Sequence, residues 1–337
     1  MKRCKVTLAQ IADLNTLYRA FWRVAQGKRR RPEVRAFEEN LDARLTALSR
    51  EILSGAVRVG RQRKFRIFDP KPREISAPCF RERVLHHAII EHIGPTLEKT
   101  AVFDSYACRK NKGTIKAVQR AQHHARRFPW YAQIDIKRYF KSIDHAILKT
   151  LLRRRLKHEP LLELLDKIIE AGADGPGRGL PIGALTSQTF ANFYLGGFDR
   201  FFLERCKVAA MLRYMDDVVW WTHEKAHAEL VLQQAANFLK SERALTIKAG
   251  YKVQRSKAGI HLCGFHILPG RIRLGRRRRK LYVQTWKHWE KQYREGKISE
   301  RQLQIGYEGA RSLTLFADAR AWRQRLHRQA SEVELGF

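Results

Sequence analysis

Tyr214-Met215-Asp216-Asp217 places two adjacent carboxylates inside an otherwise apolar run from Val208 to Trp221. Burying charge is costly unless it is paired. Two neighbouring carboxylates also raise one another's pKa unless a cation neutralises them, and a hard, oxygen-liganding ion such as Mg²⁺ does so. Asp135, which ends the stretch Tyr131-Ala132-Gln133-Ile134, offers a third carboxylate. Carboxylates converging from separate strands are what two-metal phosphoryl transfer requires, with two ions about 4 Å apart gripping the attacking and leaving oxygens. Neighbouring side chains in a strand point to opposite faces. Asp216 is therefore assigned to aim at the metals, with Asp217 supporting it. Read alone, Asp216-Asp217 is equally a polar hairpin turn, and Asp135 an ordinary strand-end cap.

The background makes these acids conspicuous. The chain has 337 residues, with 67 Lys and Arg against 33 Asp and Glu, a formal charge of +34. Hydrophobic residues at 44% and aromatics at 10% indicate a folded core rather than a disordered basic tail. Charge of this density points to a polyanion, with nucleic acid as the leading partner. No run of 18 apolar residues and no signal-peptide pattern occurs, so the expectation is a cytoplasmic protein with no membrane partner. The cysteines Cys4, Cys79, Cys108, Cys206 and Cys263 form no C-x-x-C pair, which argues against zinc ribbons and a disulfide framework. Gly175, Gly177 and Gly179 do not make a dinucleotide-binding fingerprint, and no P-loop occurs. His86, His87, His92, His123 and His124 lack metal-ligand spacing and are expected on helix surfaces or at a partner contact.

The elements that must position the acids follow from periodicity. Leu8 to Ala25 reads as one helix, and Pro32 to Ile52 as a second that stops at Gly55. Val57 to Phe68 and Glu74 to Pro78 flank the turn Asp69-Pro70-Lys71-Pro72 as a basic hairpin. Arg81 to Ile93 is helical and Pro95 is expected to close it. Tyr131 to Ile136 is a short strand, Ala146 to Leu156 and Leu161 to Ala171 are helices, and Gly172 to Gly183 is a glycine-rich loop. Leu185 to Cys206 is the longest helix candidate, and Val208 to Trp221 a hairpin whose tip carries the acids. Glu224 to Glu242 is helical, Leu245 to Leu274 holds short strands, and Trp- and Arg-rich helices continue to about Arg328. The alternation predicts an α+β fold.

Asp135-Ile136-Lys137-Arg138-Tyr139-Phe140-Lys141-Ser142-Ile143-Asp144-His145 resembles the first catalytic motif of reverse transcriptases, and Tyr214-Met215-Asp216-Asp217 their second. Ser105 to Thr114 resembles the fingers motif, and His261-Leu262-Cys263-Gly264-Phe265 the last palm strand. Leu180-Pro181-Ile182-Gly183-Ala184-Leu185-Thr186-Ser187-Gln188 has Ile182 where most reverse transcriptases carry Gln, and Gln188 where they carry Pro. That I-G-x-x-x-S-Q pattern resembles the enzymes of diversity-generating retroelements. In that family a template-repeat RNA is copied with misincorporation opposite adenines, and the mutated cDNA diversifies a target gene.

The resemblance implies a right-hand polymerase fold: an N-terminal helical extension over 1–56, fingers over 57–130, and a palm over 131–270 with a small antiparallel sheet. A fingers insertion at about 146–182 interrupts the palm, and a short helical thumb fills 271–337. It implies RNA-directed DNA synthesis with Asp135, Asp216 and Asp217 catalytic and two Mg²⁺ ions held at Asp135, Ile136 and Asp216. Lys71, Arg73, Phe140, Ile182 and Gly183 would meet the incoming dNTP. Arg109, Gln188, Tyr214 and Met215 would meet template and primer. Phe140 reads equally as a core aromatic, Lys71 and Arg73 as a solvated basic hairpin, and Ile182 as a packing residue. Implied partners are template RNA, cDNA and a small basic accessory protein that forms a pentamer in the family. The rival readings are a defence-associated or retron-type bacterial reverse transcriptase, and an inactive RNA-binding scaffold of the same fold.

Overall fold

The computed structural model describes residues 3–68 and 72–334, with the backbone alone at 73 and 330–334. The first expected helix is two, Leu8–Ala12 (α1) and Leu14–Ala25 (α2), because Asp13 leaves the helical conformation and its carboxylate accepts from the Thr16 N–H at 2.9 Å. The second likewise divides into Pro32–Glu38 (α3) and Leu41–Leu53 (α4). Gln62–Phe68 (β1) and Pro72–Pro78 (β2) form the basic hairpin in antiparallel register. Phe80–Glu98 (α5) runs through Pro95, the residue expected to end it. Proline forfeits one intrahelical donor, which is tolerable in the last turn.

Thr114–Arg127 (α6) has no counterpart among the expected elements. Its buried face is mostly alanine, with Val118 and His124, so its apolar period is faint beneath the charge. Trp130–Asp135 (β3), Tyr139–Ser142 (α7), His145–Arg153 (α8), Glu159–Ala171 (α9) and Leu185–Tyr194 (α10) follow. The long helix expected to reach Cys206 breaks at Leu195 into Gly196–Arg200 (α11) and a π-helical turn, Phe201–Arg205. Gly197 faces Arg243, whose guanidinium would lie 2.4 Å from an added Cβ, so this glycine serves close approach rather than helix propagation. Ala210–Tyr214 (β4), Asp217–Thr222 (β5), Lys225–Arg243 (α12) and Lys252–Arg255 (β6) complete the centre.

Strands β4, β5, β3 and β6 make a four-stranded antiparallel sheet in that order. Both of its faces are covered. Val218 and Trp220 enter the core shared with α1, α2, α5 and α8 to α10, while Val219 and Trp221 enter a second core with α6. Side chains alternate along a strand, so a two-sided sheet reads as continuous apolar sequence. Ile260–Leu262 (β7), Phe265–Ile267 (β8) and Ile272–Leu274 (β9) form a meander on the second core. The expected single strand over His261 to Phe265 is instead a hairpin. Cys263 at φ 51° and Gly264 at φ 79° reverse the chain.

Arg276–Arg294 (α13), Glu300–Ser312 (α14) and Arg320–Glu334 (α15) form the basic C-terminal helices. Their tryptophans pack among helices: Trp286 is buried against His327, and Trp322 meets Tyr282. His86 and His124, expected at the surface, are buried at 3% and 4% exposure. Segments distant in sequence cover them, Thr186 of α10 beside His86 and Trp221 of β5 beside His124, which spacing on one helix does not reveal. Among the described residues no helix is long and apolar enough to cross a membrane.

Candidate active site

The register of β3 with β5 sets Asp135 directly opposite Asp217. Opposed residues of an antiparallel pair share a face, and this is the face of Tyr131, Val219 and Trp221, which lies on the second core. On the other side of β5, Tyr214 pairs with Asp217, so Met215 and Asp216 form the turn of the β4–β5 hairpin. The acids therefore sit at a hairpin tip as expected. Strand alternation does not separate Asp216 from Asp217, because Asp216 is in the turn and only Asp217 is in the strand. Met215 adopts φ 59°, a left-handed conformation uncommon for a side chain of its kind.

Burial pushes Asp217 up to about 7, and the negative charges of Asp216 and then Asp135 add to the shift, with Lys248 opposing it. Lys248 Nζ donates to Asp135 Oδ2 at 2.7 Å. Its backbone N–H donates to the Asp135 carbonyl at 2.8 Å, while Lys137 N–H donates to Thr246 at 2.9 Å. The segment after α12 is thus zipped to the end of β3, and this carries Lys248 to the acids across 113 residues of chain. No local signal marks Lys248 in the sequence.

The donor set suits a hard divalent cation: the donors are all oxygen, and burial together with the charges of Asp216 and Asp135 raises the Asp217 carboxyl, a shift that a cation would relieve. Among the described residues no group of three His, Cys, Asp or Glu side chains closes into a cage. That is compatible with Mg²⁺, which keeps waters and is bound by one or two carboxylates together with substrate phosphates. Asp135 and Asp216 would supply carboxylate oxygens, and Ile136, whose side chain is buried, could contribute only its carbonyl.

Of the residues expected at the nucleotide, Phe140, Ile182 and Gly183 lie on segments joined to one another or to the basic hairpin. Ser76 N–H donates to the Ile182 carbonyl at 2.9 Å, and Leu180 N–H to the Phe140 carbonyl at 2.8 Å. Gly183, at φ 127°, lies so close to β2 that an added Cβ would stand 3.0 Å from Ile75 and 3.2 Å from the Ser76 carbonyl oxygen. Ile182 lines a cavity of 190 Å³ with Lys64, Glu74, Lys141 and Asp174. Phe140 is half-buried against the first core beside Tyr139. Lys71 lies outside the described residues, and Arg73 is paired through its backbone with Ile67.

The expected template residues are dispersed. Arg109 is turned inward, donating to Glu98 at 2.7 Å and to the carbonyls of Val102 and Ser105 at 2.6 and 2.7 Å, so its guanidinium holds the fingers-like loop. Tyr214 shares a hydrogen bond of 3.0 Å with Thr114 at the start of α6. Gln188 is half-buried on α10. Arg213 was missed altogether, although a lone arginine in the apolar strand Ala210-Met211-Leu212-Arg213-Tyr214, directly before the acids, is itself a signal.

Residues 66–267 match the family described as reverse transcriptase (RNA-dependent DNA polymerase). Protein YkfC of Escherichia coli strain K12 is 27% identical over 183 residues, 50% of this chain and 48% of that protein. The group II intron-encoded protein LtrA of Lactococcus lactis subsp. cremoris is 27% identical over 143 residues, 40% of this chain and 23% of that protein. The chain thus spans half or less of the length of these curated relatives. Apo telomerase from Candida tropicalis superposes with a TM-score of 0.48 at 12% identity, covering 63% of this chain and 48% of that one. The matched stretch runs from β1 to β8 and takes in Asp135, the Ile182 loop, the Asp216 turn and Lys248, and on that match the chain, a mixed α and β protein of right-hand polymerase type, belongs to the reverse transcriptase family.

Proposed function

We propose that the protein is an RNA-directed DNA polymerase of diversity-generating type, copying a template-repeat RNA with errors directed to adenines. The observation that carries the polymerase reading is Asp135 opposite Asp217 with Asp216 in the adjoining turn. Two Mg²⁺ ions bound there would neutralise the carboxylates and polarise the primer 3′-hydroxyl and the α-phosphate. The chain's own residues then divide the remaining work. Phe140 lies beneath the sugar, Lys71 and Arg73 pair with the triphosphate, Ile182 and Gly183 shape the base-pair pocket, and Arg109, Gln188, Tyr214 and Met215 border template and primer. In this reading residues 1–56 form an extension, 57–130 the fingers, 131–270 the palm with its insertion, and 271–337 a thumb. The positive surface holds template RNA and cDNA, and a small basic pentameric accessory protein joins the complex.

Ile182 supports the diversity-generating assignment, because an apolar side chain forfeits a hydrogen bond that a glutamine can make near the incoming nucleotide. A second reading, an intron- or retron-type enzyme, is favoured by the identity with LtrA. Sequencing cDNA made on the cognate RNA separates them, since errors concentrated at template adenines are expected only for the first. Asp216→Asn should abolish cDNA synthesis while RNA binding persists. Synthesis at the wild-type rate in that variant would overturn the site assignment, whereas RNA binding without any synthesis by the wild type would favour an RNA-binding scaffold.

A further inference from the structure

Arg213 has no solvent exposure, and all five of its side-chain N–H donors are used. Nε and Nη2 grip Asp199, also fully buried, at 2.6 and 2.8 Å. Nη1 and Nη2 reach the side-chain and main-chain oxygens of Asn192, each at 3.1 Å. The remaining Nη1 donor goes to the Met215 carbonyl at 3.1 Å. The backbone of Arg213 is fastened as well, its N–H to Asp104 and its carbonyl to Tyr106, both at 2.9 Å. Asn192 in turn donates to Ala107 at 2.7 Å.

The arrangement is odd for a stability device. A buried ion pair contributes little net stability relative to apolar residues of similar volume. What it supplies is direction. The Met215 carbonyl belongs to the peptide that leads into Asp216, and Met215 itself is in the left-handed region, so this turn needs an external hold. A planar fork with fixed donor angles provides one. It also ties the turn to α10, to α11 and to the segment 104–107.

Building on the polymerase reading, we propose that Arg213, charge-balanced by Asp199, is the positioning residue that fixes the Met215–Asp216 peptide and so aims the Asp216 carboxylate. It touches no substrate. Its effect is on geometry at the reacting centre, where misplacement of a carboxylate slows chemistry more than it weakens binding.

The test uses the full chain. The double variant R213M/D199L replaces the pair with apolar side chains and avoids an orphaned charge, while Arg213→Lys keeps the charge and loses the fork. Thermal melting, RNA affinity, dNTP KM and kcat on a poly(rA)–oligo(dT) substrate, and Mn²⁺ binding by electron paramagnetic resonance without nucleic acid are measured. The double variant is expected to melt near the wild type and to keep RNA affinity and dNTP KM within about twofold, while kcat falls about tenfold or more and Mn²⁺ binding weakens severalfold. Arg213→Lys should fall between the two. Wild-type kcat and Mn²⁺ affinity in either folded variant overturns the proposal. Unfolding of both variants overturns it too, because Arg213 would then be a stability residue. Failure of the wild type to incorporate dNTPs would instead defeat the polymerase reading, and the Mn²⁺ measurement would still judge Arg213.

Discussion

Lys248 binds Asp135 twice, through its ammonium to the carboxylate at 2.7 Å and through its backbone N–H to the carbonyl at 2.8 Å. The side-chain bond holds the Lys248 ammonium above its ordinary pKa, and the charges of Asp135, Asp217 and Asp216 reinforce it. An ammonium thus occupies a carboxylate oxygen that a divalent cation would use.

Removing this competitor should strengthen cation binding. The pair is half-exposed, so its worth is about 0.5–1 kcal/mol, and Lys248→Ala should tighten Mn²⁺ binding in the nucleic-acid-free protein about two- to fivefold. Titration followed by electron paramagnetic resonance measures it. Unchanged or weaker binding would mean that Lys248 does not compete for the site.

Ile182 fixes the Ser76 backbone with its carbonyl and lines the 190 Å³ cavity. Ile182→Gln leaves that backbone bond intact and adds an amide able to hydrogen-bond. About 1 kcal/mol of added discrimination would lower misincorporation at template adenines roughly fivefold. Sequencing cDNA from both proteins on one template reads this directly. An identical error spectrum would remove Ile182 from fidelity control.

Gly183→Ala tests the contact between the hairpin and the Ile182 loop. Its Cβ would crowd Ile75 and the Ser76 carbonyl at a backbone angle that disfavours any side chain. The expected loss is about 1–3 kcal/mol in stability, accompanied by a raised dNTP KM as β2 shifts. Wild-type melting and wild-type KM together would show that the loop absorbs the methyl group.

Acid should destabilise the fold through His86. This ring is buried between Thr186, with Oγ1 3.3 Å from Nδ1, and Glu82, with Oε1 3.6 Å from Nε2. Burial pushes its pKa down to about 3, with the charge of His87 adding. The unfolded chain takes up this proton near pH 6.5 and the folded one does not, so stability present above 6.5 is lost as pH falls towards 3, by up to about 1.4 kcal/mol per unit. Glu82, raised by its own burial, works in the opposite sense and offsets part of the loss at the acid end. Urea unfolding at pH 7.5, 6.5 and 5.5 should show a steeper dependence for the wild type than for His86→Leu. Equal slopes would place the proton elsewhere.

What the sequence determined by itself was local. Asp135, Asp216 and Asp217 were legible because short motifs keep their chemistry within a few residues, and the hairpins and most helices were legible because apolar period and turn residues act over one or two turns. Helix breaks at Asp13 and Leu195, and the run through Pro95, turned on capping and close packing that period alone does not encode. The apolar run of β5 could not say which face met which core, since both faces are covered.

Only the tertiary structure decided the rest. The register that sets Asp135 against Asp217, the arrival of Lys248 at Asp135, the burial of His86 and the grip of Arg213 on Asp199 and Met215 all join segments brought together by packing. A carboxylate's neighbours, and so its charge and its aim, are properties of that packing, whereas the presence of the carboxylate is a property of the chain.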